Sequence, residues 1–342
     1  MKEVNRHMIT LARESRGLNQ RDFAALIDMS NSNIGKMENG DIGVSEENLK
    51  TIANETDYPI HFFLQPGEII SENLSWRKRR KVPQKFMIPI NARANIITRQ
   101  IQILNKALNI NKTIVPSFDL KKELTPQKIA TLFRKEWKID NIKDTSLLKK
   151  IEDEGIIVNA FDFKTTRIDS LAMLTEDKRP VIFINNTIEG DRQRFTLAYE
   201  LGQLAMFTYT ENHSTADITS DCNAFAAEFL MPENEIRPDF NTGVTFQSIA
   251  ALKAKWKVSM IALLYRADDL GYVTPNQKRY IIQQFNEAGI RRHEPEALKI
   301  PKEEPRLMKF LIGELRNKGK LSVMDTAALL CLQIGEFMEM YS

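Results

Sequence analysis

Arg194-Phe-Thr-Leu-Ala-Tyr-Glu-Leu-Gly-Gln-Leu-Ala-Met206 lies within a segment, Arg192 to Phe207, that reads as one long buried helix. On its N-terminal side, Gly155-Ile156-Ile157-Val158 and Val181-Ile182-Phe183-Ile184 are short β-branched runs bounded by turn formers, the pattern of strands. Helices bracket this centre. Residues from about Pro89 to Ala107 place Ile96, Ile97, Ile101 and Leu104 at helical spacing, and Thr125-Pro126-Gln127 opens a further helix with Pro in its first turn. After Pro232 the chain is again mostly helical, closing with a Glu- and Lys-rich helix pair from about Pro305 onward. From Val4 to about Phe63 short helices alternate with polar turns, Phe23, Leu26 and Ile27 falling on one helix face. The expected fold class is α+β and mainly helical: an all-α N-terminal domain, a domain with a small β-sheet around a central helix, and a helical C-terminal region.

The segment Gln20-Arg-Asp-Phe-Ala-Ala-Leu-Ile-Asp-Met-Ser-Asn-Ser-Asn-Ile-Gly-Lys-Met-Glu-Asn-Gly40 reads as two helices meeting at a tight turn. Ala24 sits where the helices approach closely, and Asp28 occupies the turn, where a short polar side chain tolerates unusual backbone angles. Ser30 is a natural N-cap for the second helix and is counted among the DNA-binding residues. With Ile34 and Met37 facing the core, Asn31, Ser32, Asn33 and Lys36 are left on the outer face, able to bond base edges and phosphates from the major groove. Gln20, opening the first of the two helices, is placed for the phosphate backbone. In Gln20, Ala24, Ser30, Ile34 and Glu38-Asn39-Gly40 the segment resembles the Xre/Cro-type helix-turn-helix repressors, over roughly the first sixty residues; Asp28 departs from the Gly usual there. The plainer alternative is a helical hairpin used for packing. Residues 1–60 hold seven Lys or Arg against ten Asp or Glu, so the module must focus its positive residues on one face to approach DNA.

Within the central helix, Tyr199-Glu200-Leu201-Gly202-Gln203 stands in the register of H-E-x-x-H. In that motif His residues at i and i+4 ligate Zn²⁺ from one helix face, and the Glu beside the first acts as general base on the metal-bound water. Both His positions are replaced. The surroundings resemble the ImmA/IrrE metallopeptidase-like family, in which this helix reads R-F-T-L-A-H-E-L-G-H. A second match is Asp221-Cys222-Asn223-Ala224-Phe225-Ala226-Ala227-Glu228-Phe229-Leu230-Met231-Pro232, with further likeness at Tyr265-Arg266-Ala267 and Arg291-Arg292-His293-Glu294-Pro295. The resemblance implies a zincin-like domain over roughly residues 120–295 and puts the family's acidic third ligand at Asp221. A phenol with a pKa of about 10 and a neutral amide are poor zinc donors at neutral pH, so Tyr199, Gln203 and Asp221 read as degenerate metal positions and Glu200 as a vestigial base. The expected replacement is a polar cluster in which the Tyr199 hydroxyl and Gln203 amide donate to Glu200. His213, in a polar loop, is either a substitute ligand or a solvated side chain.

Composition narrows the rest. The 342 residues, 42% hydrophobic and 27% charged, suffice for two or three folded domains. A formal charge of +3 does not by itself imply a polyanionic partner. Cys222 and Cys331 are far apart and read as ordinary thiols, with no disulfide framework or zinc knuckle. The N-terminus runs into Lys2, Glu3 and Arg6 with no apolar run long enough for a signal peptide or membrane span, which reads as cytoplasmic. Pro66 and Gly67 lead into Trp76-Arg77-Lys78-Arg79-Arg80-Lys81-Val82-Pro83, read as an exposed linker. Arg77, Lys78, Arg79 and Arg80 either reach neighbouring phosphates, adding salt-dependent affinity, or are simply solvated.

The domains expected are 1–65 (Xre-type helix-turn-helix), 66–118 (basic linker and connecting helix), 119–295 (ImmA/IrrE-like pseudo-metallopeptidase) and 296–342 (C-terminal helical segment). The function expected is a sequence-specific DNA-binding regulator, a repressor of phage, mobile-element or stress-response type by resemblance, whose catalytically inactive peptidase-like domain senses a signal or binds a partner. One alternative is an antitoxin that represses its own toxin–antitoxin operon. Another is an active metalloprotease using Glu200 in an unusual metal site. No cofactor is expected. The partners are a double-stranded DNA operator, a protein or small-molecule effector at the vestigial cavity, and a second copy forming a homodimer on two half-sites; Leu311, Leu315, Leu329 and Leu330 are either a dimer surface or core.

Overall fold

The N-terminal residues fold as the cap and turn signals dictate. In the computed structural model, which describes residues 3–70, 75–78, 82–110, 115–120, 124–208, 218–290 and 294–341, they form α1 (Arg6–Ser15), α2 (Gln20–Leu26), α3 (Asn31–Asn39) and α4 (Glu46–Thr56), then a 3-10 turn at Ile60–Leu64. Asn5, Asn19, Ser30 and Ser45 each accept a backbone N–H that the first turn of a helix leaves without a partner. Between α2 and α3, Asp28 takes the left-handed conformation with φ of 51°, and the Met29 N–H donates to Ala24 O at 2.9 Å. Aspartate tolerates this region better than most residues, so the turn closes without the usual glycine. Phe23, Ala24, Ile34 and Met37 are buried beneath it.

One ion pair fixes the three helices to each other. Arg13 on α1 donates from Nε to Glu38 Oε1 at 2.6 Å and from Nη2 to Glu38 Oε2 at 3.1 Å, and Gln20 Nε2 on α2 donates to the same Oε2 at 2.7 Å. Both charged side chains are only 7% exposed, so the low-dielectric surroundings strengthen the pair and make loss of either partner costly.

The chain continues through β1 (Ser75–Lys78) and α5 (Gln84–Leu108), then α6 (Pro126–Glu136) and α7 (Leu147–Asp153). Thr125 caps α6 with Pro126 in its first turn. Next come β2 (Ile157–Phe161), β3 (Ile168–Leu174) and β4 (Pro180–Asn185), followed by α8 (Gly190–Met206) and α9 (Ile218–Leu230). The remaining helices are α10 (Glu233–Phe240), α11 (Phe246–Trp256), α12 (Met260–Asp269), α13 (Pro275–Glu287), α14 (Leu307–Gly319), α15 (Val323–Leu329) and α16 (Ile334–Tyr341). The sheet runs in the order β1-β3-β4-β2, with β2 and β4 parallel and the other pairs antiparallel. Trp76–Lys78 are thus paired with β3 at the sheet edge. The reading of this run as an exposed linker is corrected for these residues, because the β3 edge supplies ladder partners and a cleft for the Arg77 side chain; Arg79, Arg80 and Lys81 lie outside the described residues.

Side chains alternate between the faces of a strand, and here each face has its own core. Val158, Ile182 and Ile184 face a core built with α8 and α9 and the helices around them. Ile157, Leu171, Val181 and Phe183 face a second core that also holds Ile97 and Ile101 of α5, Met8 and Phe62 of the N-terminal module, and Leu311, Leu315 and Leu330 of the C-terminal helices. Three C-terminal helices replace the expected pair. They are tied to the front of the chain by Arg16 Nη2, which lies 2.8 Å from Glu336 Oε2, and by the Tyr341 hydroxyl, which donates to Gln100 Oε1 at 2.7 Å.

Two glycines set close approaches around α8. A Cβ on Gly202 would lie 2.9 Å from the Phe225 ring of α9, and one on Gly190 would lie 2.2 Å from Ile300 O and 2.5 Å from Pro301 O. The second obstacle is backbone, which cannot rotate aside. Gly190→Ala is expected to lower stability by about 1–3 kcal/mol in chemical denaturation; an unchanged midpoint would contradict the packing described. Glu38→Ala, which removes the bidentate partner of Arg13 and the acceptor of Gln20 but leaves Arg13 its contacts with Glu14 and Leu18 O, is expected to cost about 1.5–3 kcal/mol by the same measurement, whereas a loss under about 1 kcal/mol would mean that the pair behaves as a surface contact.

Candidate functional site

α3 presents the polar face expected of it. Asn31, Ser32 and Lys36 are exposed and Asn33 is half-buried, while Ser30 Oγ accepts from Asn33 N at 3.2 Å and so serves as the cap. The helix ends at Gly40, whose φ of 83° is left-handed and whose N–H returns to Lys36 O and Met37 O. Gln20 is placed differently from the simple reading: its amide donates to Glu38, which commits it to orienting α2 against α3. A phosphate contact from Gln20 would therefore come from a side chain already held in place.

The basic run divides. Lys78 is exposed, with its ammonium 5.6 Å from the Trp76 ring centre. Arg79 and Arg80 lie outside the described residues. Arg77 turns inward, its side chain 16% exposed, so its assignment as a phosphate contact is corrected. Its Nη1 donates to Thr196 Oγ1 at 2.9 Å, its Nε lies 3.9 Å from Asp169 Oδ2, and its guanidinium carbon stands 4.7 Å from the Tyr199 ring centre and 5.1 Å from that of Phe195. Burial lowers its pKa, while Asp169 and Glu200 oppose that shift.

Arg77 thereby enters the centre built on α8. Glu200 is fully buried and accepts from Ser170 Oγ of β3, a donor not foreseen from the sequence. Tyr199 is hydrogen-bonded with Thr219, and burial raises its pKa, helped by neighbouring Cys222 and Glu200. Gln203 is half-buried and accepts at Oε1 from the Cys222 thiol at 3.6 Å. The Cys222 pKa is likewise raised, first by burial and then by Glu200 and Asp221, so the sulfur remains a protonated thiol rather than the thiolate that binds metals. Asp221 is half-buried on α9 beside it. Asp169 of β3 is held by Arg192, whose Nε and Nη2 donate to its two oxygens at 3.0 and 2.6 Å. A cavity of about 510 Å³ lined by Trp76, Arg77, Asp169, Arg192, Tyr199 and Asn223 opens here, and it shares Arg77, Arg192 and Asn223 with a longer cleft of about 2010 Å³.

The positions that could hold a metal thus carry a phenol, an amide and carboxylates. Among the described residues no group of three or more His, Cys, Asp or Glu side chains stands close enough together to hold an ion. His213 and Arg291–His293 lie outside the described residues. Arg266 and Glu294, singled out in the sequence by likeness alone, have structural partners. Arg266 pairs with Glu228 and donates to Met231 O at 3.0 Å, whereas Glu294 Oε2 lies 2.7 Å from the Nζ of buried Lys253, which also pairs with Asp191. Asp169, Ser170 and the inward turn of Arg77 were not legible in advance, because an Asp-Ser pair and a Lys/Arg run both read as solvated.

Comparison with known families agrees with this division of the chain. Residues 9–63 match a family model described as helix-turn-helix, and residues 151–268 match one described as IrrE N-terminal-like domain. No curated protein matches the chain. No helix among the described residues is long and apolar enough to cross a membrane. Helix-turn-helix geometry with an outward polar α3, and a small sheet packed with the buried α8, are thus met by two independent matches: the chain joins an Xre-type helix-turn-helix module to an IrrE/ImmA-like, peptidase-like domain.

Proposed function

We propose that the chain is a transcriptional repressor whose peptidase-like domain performs no zinc chemistry and instead senses an effector or partner. The observation that carries the reading is the arginine in the vestigial centre. Zinc would need neutral imidazoles or anionic donors around an open coordination position, but here two frame positions offer a phenol and an amide. Glu200 is engaged by Ser170, and the Arg77 guanidinium stands against the Tyr199 ring. A fixed cation in that space repels a second one, so the donor set does not fit the metal. Without a metal-bound water, Glu200 has no nucleophile to activate.

On the DNA side, Asn31, Ser32, Asn33 and Lys36 are assigned to base edges, with α3 held rigidly by the Arg13–Glu38–Gln20 network. Few base contacts come from one module, so a homodimer on two half-sites is the form proposed to act on the operator. The exposure of α3 supports this reading.

Two measurements test the halves separately. Asn33→Ala and Lys36→Ala are each expected to weaken binding to the chain's own promoter by about 1–3 kcal/mol in fluorescence anisotropy; unchanged affinity in both would remove the proposed recognition face. Metal analysis of the purified full-length protein is expected to find zinc far below one ion per chain. Stoichiometric zinc that disappears on Glu200 or Asp221 substitution would overturn the non-catalytic reading.

A further inference from the structure

We infer that the cleft beside Glu200 is a recognition site for an arginine side chain carried on an extended peptide, and that the chain's own Ser75–Lys78 occupies it. The inference rests on the proposal that no zinc is bound there. β1 is four residues long and its ladder is with β3, which without it would be the open edge of the sheet, in the register Ser75↔Ala172, Trp76↔Leu171 and Arg77↔Ser170. This is the geometry by which an extended peptide adds to an open sheet edge, its backbone giving affinity and its alternate side chains entering pockets. Arg77 lies opposite Ser170, the residue that donates to Glu200, so the register puts its side chain on the sheet face from which Ser170 reaches the buried carboxylate.

The walls select a guanidinium over other cations. Two aromatic rings lie within cation–π range, Tyr199 at 4.7 Å and Phe195 at 5.1 Å, where a flat, weakly hydrated cation stacks well. Thr196 Oγ1 takes one N–H at 2.9 Å and Asp169 stands 3.9 Å from Nε. The charges at this point are those of Arg77 and Arg192 against Asp169 and Glu200, so removing Arg77 leaves the site with an excess of negative charge. The surrounding cleft is far larger than one side chain needs, and the joined cavity and cleft leave room for more peptide than the four residues of β1. A competing strand with arginine at the same register would displace β1. Because β1 lies in the segment between the helix-turn-helix module and α5, its release would alter how that module is connected to the rest of the chain.

The test uses the full-length protein with Arg77→Ala. Methylguanidinium at low-millimolar concentration is expected to raise the melting temperature of this variant and not that of the wild type, and methylammonium is expected to do neither. In calorimetry the tetrapeptide acetyl-Ser-Trp-Arg-Lys-amide is expected to bind the variant at least about tenfold more tightly than it binds the wild type, and to lose that affinity when its Arg is replaced by Ala or Tyr199→Ala is added. Equal responses of variant and wild type, or of the two small cations, would overturn the inference. Should the variant fail to fold, hydrogen exchange on the wild type replaces it: excess tetrapeptide is expected to accelerate exchange at residues 75–78, and no acceleration overturns the inference. Zinc measured in the same samples separates the two readings, since stoichiometric zinc overturns both, whereas zinc-free protein that ignores methylguanidinium and peptide overturns this one alone.

Discussion

A carboxylate with no solvent exposure has to be compensated from inside the protein, because an isolated charge in a low-dielectric interior costs far more than a folded domain can spare. Glu200 is in that position on α8. In a zinc peptidase the ion supplies the compensating charge; in this chain Tyr199 and Gln203 stand where the motif has its imidazoles. A hydroxyl donor comes from β3, distant in sequence, while the Arg77 guanidinium of β1 stands against the neighbouring Tyr199 ring, where its charge and that of Glu200 favour each other. The pairing of β1 with β3 draws the connection between the two domains into the sheet, and so links the centre of the second domain to the segment that follows the first.

The N-terminal module meets a related constraint with different means. Three helices too short to hold their own orientation are locked by Arg13, Glu38 and Gln20. The outward residues of α3 are therefore presented by a rigid frame, which is how a locally acidic module can still offer a defined polar face to a polyanion. The cost of ordering those side chains is met largely before any ligand arrives.

Much of this was readable from local chemistry. Caps at Ser30 and Thr125, the turn at Asp28, the buried helix and the β-branched runs of β2 and β4 each follow from rules that act within a few residues, and each falls where those rules place it. What escaped was non-local. β3 is buried on both faces and so lacks the alternation that marks a strand, while its Asp169-Ser170 pair imitates a turn. β1 is mostly polar or charged and becomes a strand only because an edge is waiting for it. In the centre on α8 the sequence frame located Tyr199, Glu200 and Gln203, but their partners Thr219, Ser170 and Cys222 depend on how α9 and β3 meet α8.

The second core, shared by α1 and α16, carries a consequence for synthesis. Proteins emerge N-terminal end first, and the helix-turn-helix module is complete while most of the chain is still unmade. Its contact with Glu336 and the burial of Tyr341 against Gln100 wait for residues beyond 330. A nascent chain thus carries a finished reading head before it has a finished mount, and the geometry in which that head is displayed is settled only once α16 has left the ribosome.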